Sequence, residues 1–81
     1  MRTQMERTAV LEDWAERVGE GIAQVTHPRS LADATLFVEV RSSAWLMELD
    51  MMKGEIVARL NRGREEAPVE RIVFVLAEGR P

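Results

Sequence analysis

The 81-residue sequence has no cysteine and no tyrosine, only one histidine and three prolines. Without cysteine there is no disulfide scaffold, no thiolate zinc or iron–sulfur site and no thiol nucleophile. The same absence fits a reducing compartment, and the expected location is cytoplasmic. No apolar run approaches the ~20 residues of a membrane-spanning helix. The first twenty residues are too acidic and too interrupted to read as a signal peptide. A basic excess is also missing. Lys and Arg number 11 against 14 Asp and Glu, a net charge of −3, whereas a dedicated nucleic-acid binder usually carries positive charge to neutralise phosphates.

What remains is an ordinary globular composition, 46% hydrophobic and 31% charged. A chain this short buries only ~60% of the surface it exposes when unfolded, so one thin core is expected. The expected domain covers residues 6–77, with 1–5 and 78–81 as loose ends. Charge is uneven. Glu6 to Glu20 holds five acids and two bases; Arg41 to Arg64 holds five bases and three acids.

Hydrophobic periodicity divides the chain. Leu11, Trp14, Ala15, Val18, Ile22 and Val25 share one face of a helix expected over Glu6–Val25. Gly19 and Gly21 weaken that helix and suggest close packing against its backbone. Pro28 is expected to mark the stop. Arg29–Leu31 reads as a short strand, Ala32-Asp33-Ala34 as a turn, and Thr35–Arg41 as a strand with Leu36, Val38 and Val40 inward. Ser42 and Ser43 can cap a second helix, Ala44 to about Arg62, with core stripe Trp45, Leu49, Met52, Ile56 and Leu60. Gly63 is a natural terminator. Val69–Leu76, apolar on both faces, reads as an interior or partly covered strand. The order helix-strand-strand-helix-strand makes an α+β domain, with a three-stranded sheet and its helices on one face.

Catalytic chemistry is thinly represented. His27 lacks a second His, Cys or Tyr to work with. Ser42-Ser43 has no base at recognisable spacing and reads as a cap. Glu12-Asp13 and Glu65-Glu66 read as solvated surface. No phosphate-binding glycine loop is present, and Arg62-Gly63-Arg64 reads first as a helix terminus. The expectation is a non-enzyme with no cofactor and no metal.

Two features remain. Met47, Met51, Gly54 and Ala58 form a second stripe nearly opposite the core stripe. It either packs on the first helix or presents Met47, Met51 and Ala58 to a partner. Arg41, Lys53, Arg59, Arg62 and Arg64 cluster in sequence around the second helix. They form either a solvated face with local pairs such as Glu55–Arg59, or a nucleic-acid contact. Both Trp14 and Trp45 read as core.

The ordered set Trp14, Val18-Gly19, Ile22-Ala23, Thr26, Pro28, Leu31, Asp33, Leu36, Val38, Val40, Ser42-Ser43-Ala44-Trp45, Glu48-Leu49, Leu60-Asn61, Ile72 and Phe74 resembles the bacterial DciA family. The resemblance implies a K-homology-like fold of type II character without the GXXG loop that clamps nucleotides. It also implies a role in DNA replication: binding the replicative DNA helicase, helping to load it, and binding DNA. Family domains are often strongly basic. This acidic one implies weak, salt-sensitive DNA binding through the five bases named above. Ala34 stands where the family commonly has glycine, which points to a different turn type. Met47 stands where a polar residue is expected. Family members often carry an additional disordered segment, of which this chain has almost none. Two other functions fit the same topology: an RNA-binding or ribosome-associated protein, and a structural domain that forms a homodimer through the methionine stripe.

Overall fold

A computed structural model describes residues 10–63 and 69–77. Its elements are α1 (Trp14–Val18), α2 (Glu20–Ala23), β1 (Thr26–Ala32), β2 (Thr35–Val40), α3 (Ser43–Met51), α4 (Lys53–Asn61) and β3 (Arg71–Leu76). β2 is the central strand, antiparallel to β1 and parallel to β3. Leu36, Val38, Val40, Ile72 and Phe74 point to one face and are buried there with Val18 of α1, Leu49 of α3, and Ile56 and Leu60 of α4. The expected α+β architecture, a three-stranded sheet with helices over one face, is therefore present.

Both expected long helices are broken. The first divides at Gly19, whose φ of 97° lies in the region that favours glycine. Close packing does not explain the glycines: a Cβ at Gly19 or Gly21 would meet nothing within 4 Å. The part of the expected helix over residues 6–9 lies outside the described residues. The second divides at Met52 (φ −103°, ψ 10°), which ends α3 and precedes α4. A single residue separates α3 from α4, so no glycine loop stands between them.

The strands also differ from expectation. β1 begins at Thr26, and Pro28 lies inside it. Proline is tolerated there because β1 is an edge strand and the ladder shifts register between Pro28 and Ser30. β3 is an edge as well, and the interior strand is β2. Leu76 has the parity of the core face but is exposed at the strand end.

The turn between β1 and β2 has two central residues, Asp33 (φ 54°) and Ala34 (φ 61°). Two successive left-handed residues give the type I′ twist that suits hairpins and favours Asp-Gly or Asn-Gly. The change of turn type expected from Ala34 is thus not observed: alanine occupies a glycine conformation. Its carbonyl accepts from the Glu70 and Arg71 amides, at 2.8 and 3.2 Å, where β3 begins. Left-handed alanine costs about 1–2 kcal/mol, partly offset by the backbone freedom glycine loses on folding. Ala34→Gly is expected to stabilise by about 0.5–1 kcal/mol. The thermal midpoint followed by circular dichroism should rise by about 2–8 °C; a fall would contradict the strain.

Polar side chains join the helices to this frame. Ser42 accepts from the Trp45 amide at 3.3 Å and caps α3, as the sequence indicates. Trp14 donates its indole N–H to the Thr26 hydroxyl at 2.8 Å, and Thr26 donates to the Ile22 carbonyl at 2.8 Å. One relay thus holds α1, α2 and β1.

Candidate functional site

The two features singled out in the sequence both fall on α3 and α4, with different fates. The methionine stripe is not packed against α1. Met47 is 70% and Met51 85% exposed, and Gly54 and Ala58 also face solvent. A helix with Leu49 on one side can leave the other side unpartnered, and here that side carries methionines.

Trp45, which the periodicity places in the core, is 37% exposed. It lies one turn before Leu49, at the N-terminal end of α3. With Ala44, Glu48 and Met52 it lines an open, mainly apolar groove of about 320 Å³. Among the described lining residues Glu48 brings the only charge, while the neighbouring acids are engaged: Asp50 with Lys53 at 3.0 Å and Glu55 with Arg59 at 2.7 Å. Periodicity groups Trp45 with Leu49 but does not show how far each position is covered.

The four described bases do not form one cluster. Arg41 is exposed just after β2, next to Val40, whose partner is Leu76 near the end of β3. Arg62 is exposed after α4, next to Asn61, which bonds to Val69 just ahead of β3. They lie toward opposite ends of a strand about 20 Å long. Lys53 opens α4 and is paired with Asp50. Arg59 is largely committed: besides Glu55, it donates to the Val18 carbonyl at 3.4 Å. Arg64 lies outside the described residues.

Arg17, not among the expected site residues, is the reciprocal of Arg59. Its guanidinium donates to the Arg59 and Arg62 carbonyls at 3.0 and 2.7 Å. Each arginine thus serves the carbonyl end of the other's helix, where acceptors lack intrahelical donors. Asn61 makes a second clamp. Its Nδ2 donates to the Val69 carbonyl at 2.8 Å, and its Oδ1 accepts from the Val69 amide at 3.3 Å. The Leu60-Asn61 pair thus contributes one core side chain and one tie to the last strand.

His27 is exposed on β1. Among the described residues no three His, Asp or Glu side chains are grouped as metal ligands, and no helix is long and apolar enough to cross a membrane. The exposed chemistry is that of contact surfaces.

Comparison with known proteins agrees. A UPF0232 protein of Rhodococcus jostii is 41% identical over 51 residues, covering 63% of this chain and 27% of that protein. A UPF0232 protein of Mycolicibacterium paratuberculosis is 35% identical over 57 residues, covering 70% and 32%. One from Mycobacterium tuberculosis is 35% identical over 51 residues, covering 63% and 27%. The match therefore spans about a third or less of these curated relatives. The family profile described as Dna[CI] antecedent, DciA, matches residues 1–74, nearly the whole chain. With that match laid over a helix–helix–hairpin–helix–helix–strand frame, the chain belongs to the DciA family.

Proposed function

We propose that this chain is a non-enzymatic accessory domain of DNA replication that acts in the cytoplasm, binds the replicative DNA helicase and assists its loading, with DNA as a weaker ligand. The family match over residues 1–74 carries this reading. The helicase contact is assigned to the exposed Met47, Met51 and Ala58 strip and the adjoining Trp45 groove. Methionine adapts to varied apolar surfaces, and burying it on a partner removes apolar area from water. DNA contacts are assigned to Arg41, Lys53, Arg62 and Arg64, with Arg59 a lesser contributor because it already joins α1 to α4.

The test is capture of purified replicative helicase by the immobilised chain, with Met51→Glu as comparison. Met51 is 85% exposed, so the substitution should leave the fold intact by circular dichroism. Capture by the wild type and its loss in the variant are expected. No capture by the folded wild type would overturn the helicase assignment; equal capture by the variant would move the contact off α3. Binding to duplex DNA should be weak and fall steeply with salt, with a log–log slope of about −0.9 per phosphate neutralised. Affinity unchanged between low and moderate salt would exclude phosphate contacts.

The exposure of both methionines also favours a second reading, a homodimer through the same strip. Sedimentation would show a concentration-dependent dimer that Met51→Glu abolishes.

A further inference from the structure

The face of the sheet opposite the helices is uncovered among the described residues, and its residues are not those of a plain solvated surface. Phe37 lies at its centre, on the middle strand, and is 36% exposed. Its ladder partner on β3 is Val73, and Val75 follows on the same face. Cations flank this apolar centre on both sides. Arg71 pairs with Thr35 on β2, which places it diagonal to Phe37 with the same parity. Arg29, at the register shift of β1, reaches Glu39 at 3.9 Å. Glu39 alternates with buried Val38 and Val40, so Arg29 is on the open face too. An exposed pair of that length contributes little and leaves Arg29 available to a stronger anion. Arg71 has no ion-pair partner among the described residues.

We propose that this open face is a stacking platform for single-stranded DNA, with a base against Phe37 and phosphates at Arg29 and Arg71. An exposed aromatic ring stacks any base, and flanking cations hold the backbone on either side. A small sheet face with one exposed ring offers a stack to one base. Size argues against a second copy of the chain as the occupant. Three strands spaced about 4.8 Å apart and about 20 Å long offer a footprint of roughly 300 Å², against ~800 Å² per partner in a stable interface. The reading above supplies only DNA as the ligand; it assigns that ligand to bases of the helical side, of which Lys53 shares a groove with Arg71 and Val73 at the β3 edge, whereas Phe37 and Arg29 lie on the open face.

Fluorescence anisotropy of fluorescein-labelled (dT)12 at 20 mM salt tests the platform with the full chain. Phe37→Leu keeps an apolar side chain of similar size but removes the ring, and is expected to weaken binding about fivefold to a hundredfold. Arg71→Gln, at an exposed position, should weaken binding and reduce the log–log salt slope by about 0.7. Unchanged melting by circular dichroism confirms folding in both. Absence of wild-type binding overturns the proposal. So does wild-type affinity in both folded variants, or loss of binding only in Arg41→Gln and Lys53→Gln. If the wild type captures helicase but ignores (dT)12, the platform fails and the helicase reading stands. If the two sheet variants lose (dT)12 but the wild type does not capture helicase, the platform stands alone.

Discussion

Leu49→Ala is expected to remove a large share of the protein's stability. Leu49 is fully buried on α3, over the β2 and β3 side of the core. Truncating such a leucine costs about 2–5 kcal/mol, the transfer term plus the cavity left behind. A domain of this size has only about 4–12 kcal/mol in total. Among the described residues the sheet is covered on one face only, so no second layer is there to collapse into the gap and the cost should lie in the upper half of the range. Urea denaturation followed by far-ultraviolet circular dichroism should show a midpoint lowered by about 2 M or more, or no folded baseline. Met51→Ala on the same helix should change stability by less than about 0.5 kcal/mol, because its side chain is already in water. Equal effects at the two positions would mean that α3 does not present Leu49 to the sheet.

The second large effect is expected at Asn61, from polar chemistry. Val69 is fully buried, and the Asn61 amide bonds both its backbone N–H and its carbonyl. Asn61→Ala removes both partners and leaves two buried backbone groups unpaired, at about 1–3 kcal/mol each. Allowing for water entry at one of them, the loss should be about 2–4 kcal/mol. The thermal midpoint should fall by roughly 10 °C or more. The neighbouring Arg62→Ala provides the contrast: its backbone carbonyl is used by Arg17, but its side chain is exposed, so the midpoint should barely move. A small effect in Asn61→Ala would show that the last strand is held by its apolar face alone.

Much of this frame was readable from residue order. Leu36, Val38 and Val40 alternate, and their inward face follows from the twofold period of a strand. The Leu49, Ile56 and Leu60 stripe follows from the helical period, the cap from Ser42 and the i,i+4 pair from Glu55 and Arg59. The failures have a common cause: they depend on what an element meets in three dimensions. Gly19 is compatible with a weakened helix or a broken one, and only the path of α1 over α4 decides between them. Pro28 is a stop in a helix but tolerable on an edge strand, and which strand is the edge depends on where β3 inserts. Trp45 continues the Leu49 stripe and is nevertheless exposed. The five bases were neighbours in sequence, yet Arg41 and Arg62 stand toward opposite ends of β3. Arg17 carried no signal at all, because its acceptors are backbone carbonyls far along the chain.

The Ala34 carbonyl that receives β3 has a consequence for the order of assembly. The β1–β2 hairpin is local and closes with a two-residue turn, whereas β3 must return across α3 and α4, at a greater loop-closure cost. The peptide group that receives its first amides exists in the correct direction only once Asp33 and Ala34 have turned left-handed. The turn is therefore expected to act as a template for the last strand, with β3 taking its register from a bend completed before it arrives. Amide exchange at Glu70 and Arg71 should report the opening of that bend, and Ala34→Gly should slow it.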